Sequence, residues 1–240
     1  MKAEPARALL FVPEERRAVM HILYLKTDIF DKPELCDKGF SMISEERRER
    51  IRIYKNEMTA RLSLGAGVLL RIIMDRMGIS EENILIGTHG KPYVSDGKFY
   101  FNLSHSGEYV FCAYDNEPIG IDIQKIKDQI PKHTNRILSK EEREYLLSLN
   151  EKDRISAFYS IWSDKESIIK WDGRGLHMSL ESISLVTQEE KISVINFEGN
   201  NLFLKRLDFL MPDYTVTICG QKEVEIEELQ KLDENFLIKY

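Results

Sequence analysis

The sequence predicts an α/β chain with two small sheets, each covered by a long helix. Three observations predict it. Apolar residues at Ile51, Tyr54, Met58, Leu62, Ala66, Leu69, Ile73 and Met77 recur every three or four positions, the spacing of one helical face. A second helical run, 151–171, occupies the later part of the chain. Short β-rich runs accompany both, so helix and strands occur in two comparable halves that join near Asn116–Ile119. Each half needs its partner to bury a full core.

The elements follow in order. "HILYLKTD" (21–28) reads as a strand. Residues 44–78 read as helix, with Ser44 as N-cap, Glu46 and Glu49 close behind it, and Gly78 as the stop. Gly65 and Gly67 inside that run mark either a break or a close helix packing. "ENILIG" (82–87) and 92–106 are strands, with Asp96-Gly97 as a turn. "YVFCAYD" (109–115) and "PIGIDIQKI" (118–126) are strands joined by Asn116-Glu117. Helices at 139–149 and 151–171 end at Gly173 and Gly175. "LESISLVTQ", "KISVINFE", "NLFLKRLD" and "YTVTICG" form a terminal β region, and the tail reads as a strand and a short helix.

The bulk numbers exclude several classes. No apolar run approaches the roughly 20 residues that span a bilayer. A net charge of −6 argues against a nucleic-acid binder, although local basic clusters can still hold phosphates. Three scattered cysteines, Cys36, Cys112 and Cys219, match neither a zinc spacing nor a disulfide framework, and point to a reducing cytoplasm.

Four stretches could carry chemistry. In "PIGIDIQKI" the faces alternate, so Asp122 shares a side with Gly120 and Gln124. A carboxylate there is solvated, bonded to backbone amides, or paired with a partner or metal, because burying it alone is costly. In "WSDKESIIKWDGRGL" (162–176) Glu166 and Lys170 stand one helical turn apart. They form a surface ion pair, or else Glu166 shares a cation with Asp122 while Lys170 reaches a phosphate bound to it. "NLSHSG" (102–107) is a polar turn, or a hydroxyl and imidazole able to donate to phosphate; no nucleophile elbow accompanies it. "HGKPYV" (89–94) gives a pre-set turn that can approach a planar ring. Arg47, Arg48 and Arg50 crowd a helix start, where the dipole disfavours cations unless an anion lies near, although Glu45, Glu46 and Glu49 interleave them.

Together, "GKPY", "FNLSHSG", "PIGIDIQKI", "LSKEE" and "FYSIWSDKESIIKWDGRGL" resemble the 4′-phosphopantetheinyl transferase superfamily, in particular its surfactin-synthetase-activating type. The resemblance runs from about Met20 to Gly220. It implies a pseudo-two-fold α+β monomer of two similar subdomains, each a small, mostly antiparallel sheet packed on a long helix. The subdomains would be 20–117 and 118–222, followed by a tail at 223–240. It further implies a Mg²⁺-dependent enzyme that moves the phosphopantetheine arm of coenzyme A onto a serine of an apo acyl or peptidyl carrier protein, releasing 3′,5′-ADP. A coenzyme A-binding module without transfer activity is the alternative. Neither nucleic acid nor membrane is an expected partner.

By position, Asp122 and Glu166 resemble the metal ligands and Lys170 the lysine on the pyrophosphate. Ser104 and His105 resemble the phosphate-binding pair, with His105 toward the 3′-phosphate. Lys91 and Pro92 match the segment along the adenine, and Arg47, Arg50 and Arg61 match basic positions near the coenzyme. Glu166 is the expected base for the carrier serine, with Glu142 as an assistant.

Two departures stand out. The family often carries an acid two residues after the aspartate; here Gln124 takes that place and offers its amide oxygen, or a water, to the metal, which predicts weaker metal binding. The resemblance also begins only at Met20. The preceding "EERR" matches a translated purine-rich ribosome-binding sequence, so residues 1–19 are expected to be a non-native or disordered extension.

Overall fold

The computed structural model describes residues 20–132, 134–175, 178–185, 193–207 and 210–240; the extension expected at 1–19 lies outside them. The first half holds β1 (Met20–Lys26), α1 (Pro33–Met42), α2 (Glu45–Arg52), α3 (Glu57–Met77), β2 (Ile84–Ile86), β3 (Pro92–Val94), β4 (Tyr100–Ser106) and β5 (Tyr109–Asp115). The second holds β6 (Ile119–Lys125), α4 (Lys140–Ser148), α5 (Glu151–Asp172), β7 (Ser193–Phe197), β8 (Asn200–Arg206) and β9 (Tyr214–Gly220). β10 (Ile226–Leu232) and α6 (Glu234–Lys239) close the chain.

Two four-stranded sheets result, ordered β10-β1-β5-β4 and β6-β9-β8-β7, with β2 and β3 as a separate hairpin. All described pairings are antiparallel except β1 with β10, where the tail returns to the first sheet. The two sheets pack against each other, and one long helix covers each outer face. Strand alternation shows how. Leu23, Leu25, Val110 and Cys112 point toward α3 and join its Leu69, Ile72 and Ile73. Ile22, Phe111 and Ala113 point the other way and meet Ile119, Ile121, Ile123, Val216 and Ile218 of the second sheet. Cys219, Leu202 and Leu204 turn outward to Ile168 of α5. β6 is therefore covered on both faces: its odd residues fill the space between the sheets, and its even residues face α5.

Close helix-on-strand packing forces a residue choice at Gly120. A Cβ there would lie 1.9 Å from the Ser167 carbonyl oxygen and 2.6 Å from the Trp171 nitrogen. Only glycine lets the α5 backbone rest directly on β6. The capping pattern is explicit as well. Asn150 Oδ1 accepts from Asp153 N at 3.1 Å, and Gly173 ends α5 in the left-handed region at φ 90°.

The helix expected over 44–78 is two helices. Asn56 starts α3 afresh, its Oδ1 accepting from Thr59 N at 3.0 Å, and the chain turns at 53–56. Gly65 and Gly67 mark close packing and not a break: Gly65 abuts Leu25 and Val110, and Gly67 abuts Ile43 and Arg47. Of the run "LESISLVTQ", Leu180–Ser182 is a 3-10 turn, and 186–188 lie outside the described residues.

Candidate functional site

The edges β4 and β6 meet without a backbone ladder. Side chains on alternate residues of β4 supply the acceptors instead. Asn102 Oδ1 accepts from Ile121 N (3.1 Å), Ser104 Oγ from Ile123 N (3.1 Å) and Ser106 Oγ from Lys125 N (2.9 Å). The strand period of two puts these three side chains on one side of β4, so a single register serves all three bonds. Asp122 sits in the middle of this seam and is 2% exposed.

A carboxylate buried so deeply must be paired. Asp122 Oδ1 accepts from Lys170 Nζ at 2.6 Å and from Ser104 Oγ at 3.0 Å. Its Oδ2 accepts from Gln124 Nε2 at 2.8 Å. Lys170 also donates to Ser104 Oγ at 2.6 Å. One turn back on α5, Glu166 Oε1 accepts from Trp162 Nε1 at 3.4 Å. Burial, then the charge of Asp122, pushes the Glu166 carboxyl above the usual carboxylate range, while Lys170 pulls the other way. Asp122 and Glu166 thus repel each other across the site, and a cation between them would relieve that repulsion.

One cavity opens beside this cluster, and a second shares part of its wall. The first, of about 330 Å³, borders Glu166 and Lys170 and is walled by His89, Lys91, Phe101 and Asn102. The other, of about 460 Å³, lies between α2, α3 and the β2–β3 hairpin and is bordered by Arg47, Arg50 and Arg71. Gly90 and Pro92 line both. Arg47 is held below the usual guanidinium value, first by burial and then by Arg50. It donates to the Ser63 carbonyl at 3.3 Å, and a Cβ at Gly67 would crowd its Cδ at 2.6 Å. Two neighbouring cations beside a cavity suit an anionic guest.

Lys91 bridges the halves. Its ammonium donates to the carbonyls of Lys170 and, at 3.2 Å, Trp171, two of the last acceptors of α5. Burial pushes it down to about 8, with Asp172 acting in the opposite direction.

The structure therefore gathers Asp122, Gln124, Glu166, Lys170 and Ser104 in one cluster and places Lys91, Pro92, Arg47 and Arg50 around the adjoining cavities. His105 faces the opposite side of β4 from Ser104. Loss of solvent around its ring, then the charge of Lys170, holds it below the ordinary histidine value. Arg61 stands apart, its guanidinium paired with Asp31 and, at 2.5 Å, with Glu57. Glu142 has no access to a substrate, which removes it as an assisting base. It is 0% exposed, and its oxygens accept from Lys165 Nζ (2.5 Å), Ser139 N (2.8 Å) and Leu185 N (2.8 Å). Asn102, Ser106 and Trp162 were not singled out from the sequence. For Asn102 and Ser106 the signal was present as polar residues alternating along "NLSHS"; for Trp162 it was the i, i+4 spacing to Glu166.

A divalent cation fits this donor set. Two carboxylates and one amide are few, and no group of three or more His, Cys, Asp or Glu suited to a metal occurs among the described residues. Mg²⁺, however, commonly takes only one or two carboxylates and completes its shell with phosphate oxygens and water.

Comparison with known proteins shows the family. Residues 118–219 match the family model described as the 4′-phosphopantetheinyl transferase superfamily, and residues 33–117 match 4′-phosphopantetheinyl transferase, N-terminal. The 4′-phosphopantetheinyl transferase Sfp of Bacillus subtilis is 34% identical over 198 residues, covering 79% of this chain and 88% of that one. The L-aminoadipate-semialdehyde dehydrogenase-phosphopantetheinyl transferase of Xenopus laevis is 28% identical over 186 residues, covering 70% and 60%. Family models that match both halves, and a relative 34% identical over most of both chains, make the chain a member of the 4′-phosphopantetheinyl transferase superfamily.

Proposed function

We propose that the protein transfers the 4′-phosphopantetheine arm of coenzyme A to a serine of an apo acyl or peptidyl carrier protein, with Mg²⁺, leaving holo carrier and 3′,5′-ADP. One observation carries the reading: Asp122, Glu166 and Lys170 converge beside a cavity walled by Lys91, and a second cavity that shares Gly90 and Pro92 with it holds Arg47 and Arg50. Coenzyme A has an anionic nucleotide end and a pyrophosphate, and the cavities offer cations to both.

In this reading Arg47 and Arg50 take the nucleotide phosphates, and Pro92 and Lys91 lie along the adenine. Lys170 reaches the pyrophosphate. Asp122 and Glu166, with the Gln124 amide oxygen, hold the metal, which when bound neutralises pyrophosphate charge. Glu166 takes the proton of the carrier serine hydroxyl. The serine oxygen forms a bond to the phosphorus attached to the pantetheine arm. The bond from that phosphorus to the bridging oxygen breaks, and the electron pair leaves with 3′,5′-ADP. Catalysis is mostly positioning and electrostatic stabilisation.

Ser104 spends its one hydroxyl proton on Asp122, so it serves phosphate only if that bond is exchanged. The free cysteines Cys36, Cys112 and Cys219 suit a reducing cytoplasm, and no described helix is long and apolar enough to cross a membrane. The test is incubation with coenzyme A, Mg²⁺ and a panel of apo carriers. A mass gain of one phosphopantetheine arm on a carrier is expected. Coenzyme A binding with no carrier gaining mass overturns the enzyme in favour of a binding module.

A further inference from the structure

Both oxygens of Asp122 are satisfied by the protein's own donors. Oδ1 receives Lys170 Nζ at 2.6 Å and Oδ2 receives the Gln124 amide at 2.8 Å. The seam leaves little room to evade this, because Asp122 is almost fully buried and its backbone is fixed as well, with Ser163 Oγ donating to the Asp122 carbonyl at 3.2 Å. Lys170 itself is partly exposed, a flexible stem whose head can leave. An acid at position 124 would have offered a third carboxylate, beside Asp122 and Glu166, to an incoming ion. The amide offers an N–H to Asp122 instead.

We infer that Lys170 is a tethered internal cation that competes with the divalent metal for Asp122, so that metal entry depends on an anionic ligand drawing Lys170 away. The inference rests on the proposed metal-dependent reading of the same cluster. Its logic is linkage. A ligand that favours the Lys170-out arrangement frees an oxygen of Asp122 and raises metal affinity, and by reciprocity the metal raises affinity for that ligand. Lys170 would then do two things in sequence: it keeps the buried carboxylate neutralised, and it moves onto the pyrophosphate as the metal takes its place. Gln124 makes the competition sharper by removing the charge that would otherwise attract the metal without help.

The test uses the full chain and Mn²⁺ as the probe, with free Mn²⁺ counted from its paramagnetic resonance signal and no coenzyme present. Lys170→Met is expected to bind Mn²⁺ roughly tenfold more tightly than the unaltered protein, since a charge in direct contact with the carboxylate has gone. Lys125→Met removes a nearby charge that lies over the Tyr214 ring and makes no contact with Asp122, and it is expected to change Mn²⁺ binding by less than about twofold. Adding 3′,5′-ADP should tighten Mn²⁺ in the unaltered protein more than in Lys170→Met. Lys170→Gln, with thermal melts of every variant, guards against misfolding and should follow Lys170→Met. Equal Mn²⁺ affinity in Lys170→Met and the unaltered protein overturns the competition, as does equal tightening by Lys125→Met. Absence of Mn²⁺ binding in all of them overturns the metal assignment with it. The carrier mass-gain assay judges the activity separately, so either reading can fail alone.

Discussion

At the scale of single residues, the site is governed by how each charge is compensated. Lys91 illustrates this with a sign that can be worked out. Its folded pKa, about 8, lies below the ordinary 10.5, so it is charged below about pH 8 and neutral above. A phosphate-bearing ligand that gains from the charge therefore binds best below that point and weakens as the pH rises through it. Coenzyme A affinity, followed by calorimetry, is expected to fall between about pH 7.5 and 9. Lys91→Met should bind more weakly at neutral pH and show no such inflection. The same lysine costs the fold stability while it is charged, and that cost is relieved as the pH rises from about 8 toward 10.5. Gln124 gives a second case. Gln124→Glu replaces a donor to Asp122 by a third carboxylate, and roughly tenfold tighter Mg²⁺ binding is expected. A metal titration that shows no change, with Asp122→Ala equally silent, would remove the metal from this cluster.

At the scale of elements, helix α5 holds Glu166 and Lys170 in place because three of its faces are pinned. Gly120 lets its backbone touch β6, Asp164 holds Arg206 and Thr217 on the sheet, and Lys165 is locked below. Gly120→Ala drives a Cβ into the Ser167 carbonyl, and a loss of about 3 kcal/mol or more is expected, seen as a melting point lower by roughly 10 °C. Lys165 is 0% exposed and donates to Glu142, to the Ile137 carbonyl (2.7 Å) and to the Leu180 carbonyl (3.0 Å), with burial holding it below the ordinary lysine value. Glu142→Gln leaves that ammonium buried without its counter-charge, and about 3–5 kcal/mol should be lost. Glu142→Gln combined with Lys165→Met should recover much of it in the same denaturant melt, which separates charge burial from loss of shape.

These elements also show what was legible. β5, β6, α4 and α5 were legible nearly to their ends; β5 and β6 are buried on both faces and so read as short, mostly apolar runs bounded by turns. The split between α2 and α3 was hidden because Asn56 interrupts the run without a proline or glycine. Glu142 misled for a related reason: sequence shows that an acid is near the site, and only burial shows that Lys165 has already taken its charge. Arg61 is similar, since its pairing with Asp31 crosses elements that no local spacing connects. Asp122, Glu166 and Lys170 were legible because an acid on an apolar strand and an acid–lysine pair one turn apart each demand a partner.

At the scale of the whole molecule, the site lies where two sheets meet edge to edge, and the joint is made by side chains. Backbone pairing would have fused β4 and β6 into one continuous sheet. Asn102, Ser104 and Ser106 instead lend their side-chain oxygens to Ile121, Ile123 and Lys125, which holds the halves in register while leaving Asp122 pointed at α5. The consequence is measurable by amide exchange. The Ile121 and Ile123 amides should be among the slowly exchanging ones, since each is buried and bonded in the seam. In Ser106→Ala the Lys125 amide loses its acceptor and should exchange roughly fivefold faster, the effect of about 1 kcal/mol for one net hydrogen bond. Ile121, two bonds further along the seam, should be unchanged. Asn102→Ala should do the reverse, speeding Ile121 and also loosening the end of α5, because Asn102 Nδ2 faces the Lys170 carbonyl at 3.5 Å. If both variants speed all three amides equally, the seam opens as a single unit and the halves are joined cooperatively. If neither variant changes any of them, the side-chain acceptors do not hold the joint, and the register of Asp122 against α5 must be set by the apolar layer between the sheets.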